Sequence, residues 1–126
     1  MTDADIQKAE ELLIAQAQTN FSGFFKWVST LNGMIKDQVG PQWGLIVNNP
    51  DVNVAEGKVS GTLDASRPLK EVLSIPFEIK GDRISFTHAK FELTDKLTGA
   101  KTTEFTSSAT HDINRILADI IQDYIG

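Results

Sequence analysis

The side chain best suited to acid–base chemistry is His88, one of two histidines, in the stretch ISFTHAKFEL. An imidazole gains and loses a proton near neutral pH, so it can act as a general acid or base. The apolar alternation changes phase here, because Ile84 and Phe86 fit one face of a strand while Phe91 and Leu93 fit the other. A β-bulge at His88 would reconcile the phases, and bulges are frequent beside active sites. His88 is therefore a catalytic candidate, and the alternative is a bent strand whose histidine is solvated or hydrogen-bonded to the backbone.

Partners for His88 are not evident from the spacing of the carboxylates. Glu78, Glu92 and Glu104 lie on different predicted strands and alternate with apolar residues, a pattern typical of solvent-facing side chains. His111, at the start of the predicted last helix, is also expected to face solvent. A small hydrolase or isomerase that uses His88 is the second alternative function, and we expect a non-catalytic protein.

Metal and cofactor chemistry has no motif in this sequence. The chain has no cysteine, so it offers neither a thiolate nucleophile nor a Cys-ligated zinc site. No spacing of His and carboxylate residues suggests a metal site, and neither a Gly-rich phosphate loop nor a nucleophile elbow occurs. We predict no metal and no cofactor.

A cluster of aromatic residues opens the stretch FSGFFKWVSTLNGMI, which begins at Phe21. It holds four of the ten aromatic side chains of the chain, which are seven Phe, two Trp and one Tyr. Residues at helical spacing form an inner stripe of Phe21, Phe24, Val28, Leu31 and Ile35. Phe25 can widen this stripe, whereas Trp27 falls at its border. Trp27 therefore needs a second neighbour, which is a pocket, another helix or a partner chain.

The preferred functional hypothesis is a binding protein for an apolar, lipid-like small molecule held between the helices and the sheet. Ligand pockets are concave and mostly apolar, with few polar groups. The predicted ligand-binding residues are Phe24, Phe25, Trp27, Trp43, Phe77 and Phe86. The alternative is an acidic protein-interaction or adaptor module, as a monomer or a homodimer, that uses a sheet edge or outer aromatic side chains.

Charge and composition limit the other partners. Twelve basic and seventeen acidic residues give a net charge of −5, which disfavours nucleic acid and anionic membrane surfaces. No apolar run is long enough to span a bilayer, and the acidic start MTDADIQKAEELL does not resemble a secretion signal. With the lack of cysteine, these features lead us to expect a cytoplasmic protein.

The first forty residues are predicted to be helical, because apolar residues recur there at spacings of three, four and seven. One helix of that length would exceed a domain of this size, so we predict a break at residues 19–23. Asn20 or Ser22 would cap the second helix. Asn32-Gly33 is predicted to lie inside that helix, which ends before Gly40-Pro41.

Residues 43–105 change to a period of two, which predicts about six strands joined mostly by short turns. One strand, WGLIVN, is predicted to end at Asn49-Pro50, and DVNVAEGKVSGTL is predicted to form a hairpin. Pro76 interrupts another strand and predicts that it lies at a sheet edge or beside a bulge, since proline cannot donate to a ladder. The short connections favour a largely antiparallel sheet.

The last element is predicted to be an amphipathic helix. Its apolar stripe consists of Ile113, Ile116, Leu117, Ile120, Ile121 and Tyr124. Two helices, a sheet and a final helix predict one α+β domain over residues 1–126, with helices packed on one face of the sheet.

Overall fold

The computed structural model describes residues 2–94, 96–99 and 101–125 and confirms the α+β fold class. The helices are α1 (Asp3–Asn20), α2 (Ser22–Gln38) and α3 (Thr110–Ile125), and the strands are β1 (Gly44–Asn53), β2 (Lys58–Ser66), β3 (Leu73–Lys80), β4 (Arg83–Phe86), β5 (Leu93–Thr94), β6 (Lys101–Thr102) and β7 (Glu104–Thr106). Two short 3-10 turns, Ala89–Phe91 and Ser107–Ala109, follow β4 and β7.

The break between α1 and α2 is confirmed and lies at Phe21, which is fully buried. The Phe21 amide donates to the carbonyl of Ala17, so the residue ends one helix as it begins the next. The predicted side-chain cap is wrong, because α2 has no side-chain cap hydrogen bond at its start. Asn20 instead donates its amide to the carbonyl of Gly81 at 3.0 Å, so it ties α1 to the β3–β4 turn.

Asn32 and Gly33 lie inside α2, as predicted. The side-chain oxygen of Asn32 accepts a hydrogen bond from the amide of Leu45 at 2.9 Å. This bond satisfies a backbone donor at the start of β1 and joins the helix to the sheet edge. Gly44 permits the approach, since a Cβ atom there would lie 3.3 Å from the Asn32 oxygen.

Replacing Gly33 by alanine should stabilise the protein by about 0.5–1 kcal/mol, because glycine costs that much in a helix interior. A Cβ atom at Gly33 would meet nothing within 4 Å. Gly57 is the matched control: its Cβ position is also open, but its φ of +65° is left-handed. Gly57→Ala should therefore destabilise by about 1–2 kcal/mol. Urea denaturation measures both, and a stability loss in Gly33→Ala would contradict the prediction.

The main sheet has five strands in the order β1-β2-β3-β4-β7, and every neighbouring pair is antiparallel. The short strands β5 and β6 pair separately. The three helices pack on one face of the main sheet, since buried residues of all three belong to one core with its inner-face side chains. Buried sheet residues on that inner face are Leu45, Val59, Leu63, Ala65, Ile75, Phe77, Ile79, Ile84, Phe86 and Phe105. The outer face is mainly polar, since the residues that alternate with these include Ser60, Thr62, Asp64, Glu78 and Ser85.

Two predictions about prolines in strands are wrong. β1 does not end at Asn49-Pro50 but continues to Asn53, with a register irregularity between Asn48 and Asp51. An edge strand tolerates this proline because one side of its backbone needs no ladder partner. Pro76 lies on β3, which is flanked by β2 and β4 and pairs with both in regular register, so neither an edge nor a bulge is present there. Its missing donor is tolerated because the β3–β4 ladder begins only at Phe77.

The apolar stripe of α3 is confirmed as part of the core, with its five isoleucine and leucine residues buried. The start of α3 lies against the start of α2: a Cβ atom at Gly23 would lie 2.9 Å from the Thr110 methyl group. Further along, Trp27, Leu31 and Ile35 of α2 face residues 118–125 of α3 across one groove, so the two helices run in the same direction. In the part of the chain that is described, no helix combines the length and the apolar character needed to cross a membrane.

Candidate functional site

Three of the six predicted ligand-binding residues are buried in the core. Phe24, Phe77 and Phe86 are at most 4% exposed. The ring of Phe86 lies 5.6 Å from that of Phe24 and 6.3 Å from that of Phe77. Phe25, which is half-buried, extends this cluster, with its ring 5.1 Å from Phe24 and 6.5 Å from Phe77. The structure thus brings the four phenylalanines together between α2 and the sheet, where their rings pack against one another.

The two tryptophans lie apart from this cluster. Trp43 is half-buried, and the guanidinium of Arg67 lies over its ring at 5.0 Å from the centroid. Trp27 is also half-buried and faces a space between α2 and α3. Helical spacing placed Trp27 at the border of the inner stripe of α2. The space opens on that side of the helix.

The space beside Trp27 is an apolar groove of about 340 Å³, which we call the α2–α3 groove. Its lining residues are Trp27, Leu31 and Ile35 of α2 with Ala118, Ile121, Gln122 and Ile125 of α3. The α2 residues are four apart, so they form one row along the helix, and the α3 residues follow the same helical spacing. Gln122 is the single polar side chain among the lining residues.

Ala118 and Gln122 were not identified as site residues from the sequence. Both are exposed and follow buried residues of the α3 stripe, so local spacing assigns them to the solvent side. Both residues line the groove only because α2 and α3 run in parallel. No local sequence pattern encodes that arrangement. No protein-family model, curated protein or solved structure matches the chain. Function is therefore inferred from the geometry and chemistry of the chain itself.

Three cationic side chains donate hydrogen bonds to backbone carbonyls near the C-terminal ends of α2 and α3, and none of them lines the groove. Arg67 donates to the carbonyls of Tyr124 and Ile125 at 2.9 and 3.1 Å, so it is bonded to the groove residue Ile125. Lys70 donates to the same Tyr124 carbonyl at 3.4 Å. Lys36, next to Ile35, donates to the carbonyls of residues 41 and 43 at 3.2 and 3.1 Å. Cations at helix C-termini interact favourably with the helix dipole, so these contacts also stabilise the two helix ends.

His88 caps the 3-10 turn that follows β4, and its Nδ1 accepts a hydrogen bond from the Lys90 amide at 3.1 Å. The predicted bulge is wrong: β4 ends at Phe86, and the turn changes the phase of the apolar residues instead. His88 and Glu92 both line a shallow depression of about 380 Å³. The imidazole therefore has a structural partner in the turn, and the catalytic hypothesis has no hydrogen-bonded carboxylate to support it in the described contacts.

The other two carboxylates considered with His88 lie on the outer face of the sheet in ion pairs. Glu78 is 3.7 Å from Lys58, and Glu104 is 3.8 Å from Arg83. Over the described residues, no group of three or more His, Cys, Asp or Glu side chains is placed to hold a metal ion.

The outer sheet face carries a polar hollow of about 600 Å³ around Asp64. The Asp64 carboxylate accepts hydrogen bonds from the Ser74 hydroxyl at 2.6 Å and from the Asn48 amide. Partial burial raises the pKa of Asp64, but hydrogen bonds from Ser74, Asn48 and Thr62 outweigh it and hold the pKa below its ordinary value. The carboxylate is therefore ionised at neutral pH and already bonded, which suits a structural role in the sheet.

Proposed function

We propose that the chain binds an apolar small molecule, or the apolar part of one, in the α2–α3 groove. The observation that supports this is an open groove lined by six apolar residues and one amide, next to a core whose aromatic rings already pack together. Apolar surface released from water on binding would supply about 25 cal/mol per Å². This proposal retains the ligand class expected from the sequence and moves the site from the inner sheet face to the side of α2 that carries Trp27.

The size of the groove favours a small molecule over a folded partner. Its volume of about 340 Å³ lies at the lower end of the range typical of ligand pockets. From Trp27 to Ile35 it extends along two turns of α2, which is about 12 Å at the helical rise. A stable protein interface uses roughly 20–30 residues a side, whereas seven residues line this groove. A short acyl chain or a compact ring system matches these dimensions.

The alternative remains a protein-interaction module, and one loop supports it. In the connection between β2 and β3, Leu69 is fully exposed at φ 61°, and Val72 is 56% exposed. Apolar side chains presented on a loop are a common means of contacting a partner. Native mass spectrometry separates the two proposals, since a monomer with a small-molecule adduct supports the first and a dimer without an adduct supports the second.

Ala118→Glu should weaken the binding of an apolar probe such as decanol by about tenfold or more, because it places a carboxylate in an apolar site. Ala118 is exposed and lines the groove, so the change is expected to leave the fold intact. The matched control is Ala15→Glu, the same substitution at an exposed position of α1. Both are made in a Trp43→Phe background, so that fluorescence reports on Trp27 alone.

Decanol titrations followed by Trp27 fluorescence and calorimetry measure the effect. The expected result is saturable binding in the background and in Ala15→Glu, with a strong loss in Ala118→Glu. Equal affinity in all three variants would place the probe elsewhere on the protein. The absence of saturable binding to the background protein would contradict the proposed function itself.

A further inference from the structure

We infer that the α2–α3 groove accepts Leu69 of a second copy of the chain, so that two copies form a weak, symmetric dimer. This dimer goes beyond the proposed function, because it gives the same groove a second occupant that competes with the small ligand. Two features support it. One is a fully exposed leucine in a strained backbone conformation, and the other is an open apolar groove beside the helix end that holds the loop of this leucine.

Leu69 lies in the β2–β3 connection with a φ of 61°, in the left-handed region. Among the described residues it is the only one other than glycine with a positive φ. The Cβ atom of a leucine makes this conformation unfavourable, whereas glycine adopts it freely. Because the side chain is fully exposed, no packing within the chain offsets the cost. Backbone strain of this kind occurs at functional sites, so an exposed, strained leucine points to a contact outside the chain.

The loop around Leu69 is fastened to the C-terminal end of α3. Arg67 donates hydrogen bonds to the carbonyls of Tyr124 and Ile125 at 2.9 and 3.1 Å. On the other side of Leu69, the Tyr124 hydroxyl donates to the carbonyl of Glu71 at 2.6 Å. The loop is therefore held both before and after its tip. It can present Leu69 with little further loss of freedom on binding, which favours its use as an anchor residue.

The groove and this loop are neighbours on the surface of each copy. Ile125, whose carbonyl accepts the bond from Arg67, also lines the groove. A surface that carries both a projecting side chain and a groove that fits it can pair with itself about a two-fold axis. Each copy then places its Leu69 in the groove of the other, and both contacts form in the same dimer.

The chemistry of the groove suits a leucine side chain. Six of the seven lining residues are apolar, so Leu69 would leave water for an apolar surface without burying a charge. The volume of about 340 Å³ exceeds that of one leucine side chain, so the groove needs no widening. Leu69 and a small apolar ligand would use the same lining residues, and each would therefore exclude the other.

The dimer is expected to be weak. Two grooves and two loop tips involve fewer residues than the roughly 20–30 a side of a stable interface. Each copy also has a net charge of −5, so the two copies repel each other. The dimer should therefore dissociate on dilution and become more stable at high salt, where the repulsion is screened.

Sedimentation equilibrium over a range of protein concentrations tests the dimer. Leu69→Lys should weaken self-association by about tenfold or more, because an ammonium group is costly to transfer from water into an apolar groove. Its matched control is Leu12→Lys, the same substitution at a leucine of α1 that is 70% exposed, and this change should have little effect. Decanol should convert the dimer of the unchanged protein into monomers, since it occupies the groove.

Ala118→Glu changes the groove instead of the loop and should weaken self-association to a similar extent, with Ala15→Glu as its control. Leu69→Lys and Ala118→Glu each lose both contacts of the symmetric dimer. In a mixture of the two, the intact Leu69 of one variant meets the intact groove of the other, and the introduced lysine faces the introduced glutamate. The mixture should therefore associate at least about threefold more tightly than either variant alone.

Circular dichroism checks that every variant remains folded. A protein that binds decanol but stays monomeric at all concentrations would overturn the dimer and leave the proposed function in place. Equal self-association of Leu69→Lys and Leu12→Lys would also overturn it, as would a dimer that persists with decanol bound. A dimer that depends on Leu69 and Ala118, in a protein that binds no decanol, would support the Leu69 contact and contradict the proposed function.

Discussion

Replacing Phe91 by alanine should cost about 3–5 kcal/mol of the free energy of unfolding, the range found for aromatic residues removed from a core. Phe91 is fully buried. Its ring stacks on that of Phe86 at 4.2 Å with an interplanar angle of 16°, and it meets the edge of Phe105 at 5.8 Å. One substitution therefore removes the ring that joins the aromatic cluster under α2 to β7.

Urea denaturation of Phe91→Ala measures this loss, which is a large fraction of the roughly 5–15 kcal/mol that stabilises a domain. The control is Leu12→Ala on α1, where the side chain is 70% exposed and the change should stay within about 0.5 kcal/mol. A loss at Phe91 as small as that of the control would show that the turn after β4 does not dock its ring in the core.

Phe91 also shows where sequence periodicity stops being informative. The change of phase between Phe86 and Phe91 was visible, but two backbone solutions satisfy it, a bulge in one strand or the end of that strand in a turn. The turn carries a local hydrogen bond from the Lys90 amide to His88, and it contacts α3, a neighbour that only the folded chain supplies. Only one type of secondary structure fits each long periodic segment, so the helices and the antiparallel sheet could be predicted.

The sequence likewise predicted one part of the candidate site and missed another. Local spacing was sufficient to separate Trp27 from the inner stripe of α2, and Trp27 lines the groove. It was not sufficient to choose between core and pocket for Phe24, Phe77 and Phe86, because a ligand-lining ring and a core ring have the same pattern. The contact that holds the end of α3 was invisible for a different reason. Arg67 lies 58 positions before Ile125, whose carbonyl it bonds, so only the tertiary fold brings them together.

Leu117→Ala should cost about 2–5 kcal/mol, because the side chain is fully buried and its removal leaves a cavity between α3 and the rest of the core. Its neighbour Ala118 points into the groove, so adjacent positions of one helix are expected to report on different properties. Leu117→Ala should lower stability in urea, whereas Ala118→Glu should lower ligand affinity with little change in stability.

This pair tests whether the groove is a site distinct from the core. A stability loss near zero in Leu117→Ala would show that α3 is not docked, and the groove would then lack one of its two walls. A large stability loss in Ala118→Glu would mean that Ala118 packs in the core and that its effect on binding follows from unfolding. If Leu117→Ala lowers stability and Ala118→Glu lowers only affinity, the ligand binds on the exposed side of α3. The other side of that helix then holds the domain together.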